Sequence, residues 1–311
     1  MQALLDAIAQ APRHIDAQRV FHGRGGQHPG FEHWTLDAYP PVWVLTSFKS
    51  VSDDELAQVQ AALTQRWAHI APGEPLNLVF QTRIDGRSET HLLAGSVPEP
   101  HVVSEGGARY GVHVLKGQNH GLFLDMAEGR AWVRQHAAGQ KVLNLFAYTC
   151  AFSVAALQGG ARHVLNIDMA AGAIATGQHN HALNGLKERA SFMAHDIFKT
   201  WGKITRAGAY GLVIVDPPSY QKGSFVARKD YPRLLRRLPD LVAPGGHVLL
   251  CLNAPEIGTG FLQEQMAAMA PELVFEQRLP NPAAFADVDP ERALKVLVYR
   301  APDLPGVATG S

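Results

Sequence analysis

From Gly121 onward the chain repeats one rhythm: a short apolar run, a stretch of helical length, then another apolar run. The runs are Lys141–Phe146, His163–Asp168, Ala190–His195, Tyr210–Asp216 and His247–Leu252, and Gly211-Leu212-Val213-Ile214-Val215 typifies them. Strands joined by helices must cross over and pair in parallel. A parallel sheet is covered on both faces, so its strands show no polar alternation. A helix around Phe261–Ala270 and two further strand candidates, Leu273–Leu279 and Ala293–Arg300, complete the series. The rhythm predicts an α/β domain with a mostly parallel sheet over residues 116–302.

The first part of the chain reads differently. Pro41–Phe48, Leu76–Ile84 and Thr90–Gly95 are strand candidates. Ser52 and Glu55 have the spacing of a capping box and open a helix running to about Trp67. Gly106-Gly107 between Val102–Glu105 and Ala108–Val114 signals a hairpin. Residues 1–40, rich in His, Gly, Pro and Gln, yield no regular element. Within them His22-Gly23-Arg24-Gly25-Gly26 is a loop and a secondary candidate for reaching substrate. Residues 1–115 are therefore expected to form a small α+β domain, and residues 303–311 a flexible tail.

Composition limits what such a chain does. Its 28 basic and 28 acidic residues cancel, which excludes adhesion to nucleic acid or membrane by bulk charge and leaves only local patches. The 46% hydrophobic content is that of a globular protein. Two cysteines, Cys150 and Cys251, exclude a disulfide framework and a four-thiolate metal site. No leader-like start or membrane-length apolar stretch is visible, so the expectation is a cytoplasmic protein with neither membrane nor metal as partner.

In an open α/β sheet the ligand crevice lies beyond the carboxyl ends of the strands. Acidic residues stand there after three successive strands: Asp168, Asp196 and Asp216. A buried carboxylate without a donor is costly, so each must face water or a ligand. A carboxylate after the second strand suits ribose hydroxyls, and one after the third suits an adenine amino group. Neither a Gly-x-Gly-x-x-Gly nor a Gly-x-x-x-x-Gly-Lys-Ser/Thr loop is present, which disfavours nucleotide di- and triphosphates. A nucleoside without phosphates remains, and S-adenosylmethionine is the obvious candidate. The competing reading makes Asp168 and Asp196 plain helix caps.

The run Gln118-Asn119-His120-Gly121-Leu122-Phe123-Leu124-Asp125, continuing to Arg130, then Asn144-Leu145-Phe146-Ala147-Tyr148-Thr149, then Asp216-Pro217-Pro218-Ser219-Tyr220, carry a resemblance. Together they resemble the bacterial large-subunit ribosomal RNA methyltransferases. These include 5-methylcytosine-forming enzymes and the 7-methylguanine-forming half of a fused bifunctional enzyme. The resemblance covers roughly residues 90–300. It implies a class I methyltransferase, Rossmann-like, with a seven-stranded, mostly parallel sheet ending in an antiparallel hairpin. It also implies that Asp125, Arg130, Asn144, Phe146, Tyr148 and Thr149 line the cofactor. Asp168 with Met169 would hold the ribose, Asp196 with Ile197 the adenine, and Asp216 would stand beside the methyl group. The family's N-terminal RNA-binding module is not recognisable in this sequence.

Three departures matter. Where the family reads Tyr-Thr-Gly-Gly, this chain has Tyr148-Thr149-Cys150-Ala151, whose small side chains predict a surviving loop with negative φ. Ala127 stands where the family often has Arg. The cytosine enzymes carry a nucleophilic Cys seven residues after a Gly pair, because C5 methylation first adds a thiolate. Here that position is Asn253, and Cys251 lies within the strand. The expectation is therefore N-methylation of a nucleobase, guanine in ribosomal RNA. Asp216 and Asn253 would bond the base edge, Tyr220 would stack, and Pro217-Pro218 would stiffen the loop. The basic run Arg228, Lys229, Arg233, Arg236 and Arg237, with Arg233 and Arg237 on one helix face, is a candidate phosphate-binding lip. Two alternatives stand beside this: a methyltransferase of a small heterocyclic metabolite, and a non-catalytic binding protein of the same fold.

Overall fold

The computed structural model describes residues 1–218, 225–303 and the backbone of Tyr220 and Gln221. The chain divides into two compact units, Met1–Ala127 with Asn281–Pro290, and Glu128–Pro280 with Glu291–Ser311. The expected boundary at residue 115 falls inside the first unit, which runs on to Ala127 and takes in a distant segment. The expected tail beyond Asp303 lies outside the described residues.

In the first unit, β1 (Gln18–His22), β2 (Trp34–Tyr39), β3 (Val42–Ser47), β4 (Asn77–Ile84) and β5 (Arg87–Ala94) form one sheet in that order. Only β3 and β4 run parallel. Their connection is α2 (Asp53–Ile70), which follows α1 (Gln2–Gln10) in the chain. The capping box forms as expected: Glu55 N–H donates to Ser52 Oγ, and Ser52 N–H to the Glu55 carboxylate. Val59, Leu63 and Trp67 recur every fourth residue, so α2 presents one apolar stripe. That stripe, with Leu4 and Ile8 of α1, buries against Trp34, Leu36, Trp43, Leu45, Leu78 and Phe80. β6 (His101–Glu105) and β7 (Ala108–Val112) form the expected hairpin.

Residues 1–40, where the sequence assigned only the loop His22–Gly26, hold α1, β1 and β2. The reason lies on the sheet's other face, where Thr35, Asp37, Thr46 and Gln81 are polar yet buried. Arg19 of β1 donates to both oxygens of Asp37 (2.8 and 3.0 Å), and Gln81 donates to the Gly117 carbonyl (2.8 Å). Polar groups paired in this way are tolerated inside, so these strands are buried without being apolar.

The second unit begins within α3 (Ala127–His136), at Glu128, and continues β8 (Lys141–Leu145), α4 (Ala151–Gln158), β9 (His163–Asp168), α5 (Ala171–Leu183), β10 (Ala190–Ala194), α6 (Trp201–Arg206) and β11 (Tyr210–Val215). Then come β12 (Tyr220–Gln221), β13 (Phe225–Val226), α7 (Ala227–Leu235), α8 (Leu238–Leu241), β14 (Val242–Leu252), α9 (Thr259–Met269), β15 (Val274–Arg278) and β16 (Lys295–Arg300). The seven-stranded sheet has the order β10-β9-β8-β11-β14-β16-β15. β16 is antiparallel to both β14 and β15, and the other pairs are parallel. This is the mostly parallel sheet with a terminal hairpin that the resemblance implied. Leu143, Ile167, Val213 and Leu250 bury on one face, while the alternate residues Val142, Val164, Leu212 and Leu249 are buried as well. Among the described residues no helix is long and apolar enough to cross a membrane.

Two histidines of the first unit make its stability depend on pH. Burial, with the Arg19 guanidinium, lowers His22 from 6.5 to about 4, and burial, with Arg83, does the same to His120. Arg19 only donates, so its 2.8 Å contact to His22 Nδ1 requires an unprotonated acceptor there. Unfolded, both rings protonate near 6.5; folded, they stay neutral until about 4. Their contribution is complete above 6.5 and declines as pH falls from there toward 4. Urea denaturation at pH about 7.5 and about 5 should show a lower midpoint in acid, and the His22→Gln/His120→Gln double variant a smaller difference.

Candidate active site

The sheet order reverses between β8 and β11, so the connections after these strands leave in opposite directions and open a crevice at their carboxyl ends. Register decides what lines it. Leu145 pairs with Val215 and Ile167, Val215 with Leu250, and Asp168 with Ala194. Phe146, Asp168, Asp196, Asp216 and Asn253 therefore all emerge at one edge of the sheet.

The connection after β8 is strained. Phe146, Tyr148 and Cys150 have φ of 56°, 47° and 59°, the left-handed region normally left to glycine. The expectation that Cys150 keeps a negative φ is thus overturned: the turn keeps a glycine-like backbone although the glycine is gone. The cysteine fits because α5 passes it with Gly177, where a Cβ would stand 2.4 Å from Cys150 Sγ and 3.0 Å from its Cβ. Burial pushes the Cys150 thiol well up, leaving a packed, unreactive group. Asp168 holds the turn, accepting from Tyr148 N–H through one oxygen and Ala170 N–H through the other, both at 2.8 Å. Asn180 of α5 donates to the Thr149 carbonyl (2.9 Å).

Behind the turn runs a buried chain of polar side chains. His181 Nδ1 faces the Gly177 carbonyl (2.7 Å) and so must donate. Burial lowers the pKa of His181, keeping the ring neutral, and Nε2 accepts from Ser153 Oγ (2.8 Å). Ser153 Oγ accepts from Asn166 (3.0 Å), whose Oδ1 accepts from Asn144 Nδ2 (2.9 Å). Asn144 is 1% exposed, its amide turned inward to Asn166. The sequence signal for this chain was the i, i+3, i+4 set Gly177, Asn180 and His181, which with Ile174 forms the buried face of α5.

The remaining residues distribute as follows. Asp196 accepts from Phe198 N–H (2.9 Å), capping the short turn Ile197–Lys199, and lies 3.7 Å from the Lys199 ammonium. Capping and ligand binding are compatible here, because a carboxylate oxygen has a second lone pair for a ribose hydroxyl or an amino group. That spare capacity on Asp168 and Asp196, both partly exposed, fits a nucleoside. Ile197 is buried and Met169 is 52% exposed. Arg130 is buried in α3, and Asp125 lies in the turn Leu124–Met126 of the first unit. Asp216 and Pro218 are partly exposed, Pro217 is buried and Asn253 is exposed. The side chain of Tyr220 lies outside the described residues. The Tyr231 hydroxyl donates to the Cys251 carbonyl; burial holds its pKa well up, with Cys251 and Asp216 adding to the effect. Lys295, fully buried and unforeseen, donates to the Ala254 and Glu291 carbonyls (2.8 Å each) and so steadies the turn after Asn253.

The basic run needs a correction. Helix α7 ends at Leu235 and α8 begins at Leu238, so Arg233 and Arg237 do not share a helix face. Pro239 in the first turn of α8 favours a fresh helix start over continuation. Arg233 pairs with Asp230 (2.7 Å) and covers Phe198, while Arg228, Lys229, Arg236 and Arg237 remain exposed.

The Cys150–Gly177 contact yields a prediction. Gly177→Ala should weaken S-adenosylmethionine binding about tenfold, because the added methyl overlaps a sulfur held by a fixed turn. Adding Cys150→Gly should restore most of the affinity, which calorimetry on the single and double variants would measure.

A family model described as S-adenosylmethionine-dependent methyltransferase matches residues 18–300. The "Ribosomal RNA large subunit methyltransferase K/L" of Psychrobacter sp. (strain PRwf-1) is 35% identical over 230 residues, 68% of this chain and 28% of that protein. The "Ribosomal RNA large subunit methyltransferase I" of Tolumonas auensis is 29% identical over 263 residues, 82% of this chain and 65% of that protein. This chain thus spans less than two thirds of either relative. Among solved structures, SMU.776, described as a methyltransferase complexed with SAH, superposes with a TM-score of 0.81 at 25% identity, over 96% of this chain and 81% of that one. The chain belongs to the S-adenosylmethionine-dependent methyltransferase family.

Proposed function

We propose that this methyltransferase acts on ribosomal RNA and methylates a guanine at N7. The observation that favours a ring nitrogen over a C5 carbon is Asn253, exposed just past β14 where a C5 methyltransferase needs a thiolate. Cys251, two residues earlier, is fully buried within the strand. Ribosomal RNA as substrate is supported by the printed names of the relatives.

S-adenosylmethionine supplies an electrophilic methyl group on its sulfonium. The guanine N7 lone pair lies in the ring plane and needs no base to expose it. N7 bonds the methyl carbon as the carbon–sulfur bond breaks; the electron pair leaves with sulfur as a neutral thioether, and the ring takes the positive charge. The protein's work is then alignment and exclusion of water. Asp216 offers an acceptor to the ring and amino N–H groups of guanine, and Asn253 offers an amide donor to its oxygen. Pro217-Pro218 would stiffen the chain directly after Asp216, and Tyr220 is the stacking candidate. Asp168 would hold the ribose, with Met169 beside it, and Asp196 the adenine, with Ile197. Asp125, Arg130, Asn144, Phe146, Tyr148 and Thr149 complete the proposed cofactor set.

Tritiated-methyl transfer to unmodified ribosomal RNA, run beside a small-molecule extract, tests this. Label should enter RNA and be recovered as 7-methylguanine. Label only in the small-molecule fraction would overturn the RNA reading in favour of a heterocyclic metabolite, which the zero net charge of the chain would suit. Asn253→Ala and Asp216→Asn should each lower kcat/KM at least about tenfold. Cys251→Ser should stay within about threefold of the parent, and 5-methylcytosine formation lost in that variant would refute the assignment.

A further inference from the structure

The loop His22–Gly26 has no part in the site described above, yet it is built rigidly. A Cβ on Gly23 would stand 1.8 Å from the Phe31 carbonyl oxygen, and one on Gly25 2.0 Å from that of Ala286. Only glycine permits such packing, and between the two glycines the loop holds out Arg24. Arg24 is exposed, and its guanidinium carbon lies 4.1 Å from the centroid of the Phe48 ring. Arg83 of β4 approaches the same ring at 5.9 Å.

The carboxylate nearest this ring is engaged elsewhere, though it still acts on Arg83 at longer range. Asp37 is committed to Arg19 through two hydrogen bonds. Among the described residues Arg24 and Arg83 form no ion pair, and Arg83 donates only to neutral partners, Gln81 Oε1 and the Gln118 carbonyl. Partial burial of the Arg24 guanidinium, with a smaller contribution from Arg19, lowers its pKa. A guanidinium stacked on a ring still presents its N–H donors in its own plane, the arrangement that recognises a phosphate.

We propose that Arg24, Arg83 and Phe48 form a phosphodiester-binding subsite for single-stranded RNA. The inference rests on RNA being the substrate. A guanidinium held on an aromatic ring, with a second guanidinium near the same ring, combines charge for the backbone with an aromatic group for a base. In a chain with zero net charge, RNA affinity must come from local clusters of this kind.

The test is fluorescence anisotropy of a labelled uridine oligonucleotide against the full chain and its Arg24→Glu and Arg24→Gln variants, over a salt series. S-adenosylmethionine affinity and melting temperature are measured on the same samples. Arg24→Glu should weaken oligonucleotide binding about tenfold and Arg24→Gln about threefold, each with a shallower salt dependence and unchanged cofactor affinity. Parent and variants binding the oligonucleotide alike would overturn the subsite while leaving ribosomal RNA methylation standing. Arg24-dependent binding of inorganic phosphate but not of the oligonucleotide would also overturn it. A parent that neither binds the oligonucleotide nor labels ribosomal RNA would overturn both readings.

Discussion

The turn after β8 holds three non-glycine residues in the left-handed region, and the architecture of the second unit serves to keep them there. Each such residue costs on the order of 1–3 kcal/mol and persists only where its surroundings over-determine it. The surroundings are named above: the Asp168 carboxylate across two backbone N–H groups, Asn180 on the Thr149 carbonyl, and the contact of Cys150 with Gly177. These come from β9 and α5, which the parallel sheet sets beside β8. Sheet order, strand register and the turn are therefore one constraint met at three scales.

Much of the second unit was legible because doubly buried parallel strands have few alternatives. Runs such as Gly211–Val215 can be little else between helices, and the acidic residues at their ends mark the crevice. The strands of the first unit were harder to read. Trp34-Thr35-Leu36-Asp37-Ala38-Tyr39 alternates as a strand should, but Thr35 and Asp37 face a second interior rather than water, and the flanking His, Gly and Pro residues obscure the signal. The partner that permits this, Arg19, lies far enough away in sequence that only the register of β1 on β2 reveals it.

The site was half legible for a related reason. Sequence spacing says which residues reach the end of a strand but not which backbone groups they meet there. Asp168 and Asp196 could be weighed as caps or as ligand acceptors, whereas the structure has their carboxylates bonded to backbone N–H groups with lone pairs to spare. Asn166, Ser153 and His181 were missed because the members of the buried polar chain are neighbours only after β8, β9, α4 and α5 have assembled. Cys150 misled because size alone says nothing about φ. The helix break after Leu235 misled because a run of arginines looks continuous in charge while the backbone beneath it is not.

The Cys150–Gly177 contact also couples two positions far apart in sequence. Two side chains cannot occupy that space together, since a Cβ at 177 would lie 2.4 Å from the sulfur at 150. Residue 177 thus sets what residue 150 can be: the helix leaves a hydrogen's width, and the turn uses that space for a sulfur.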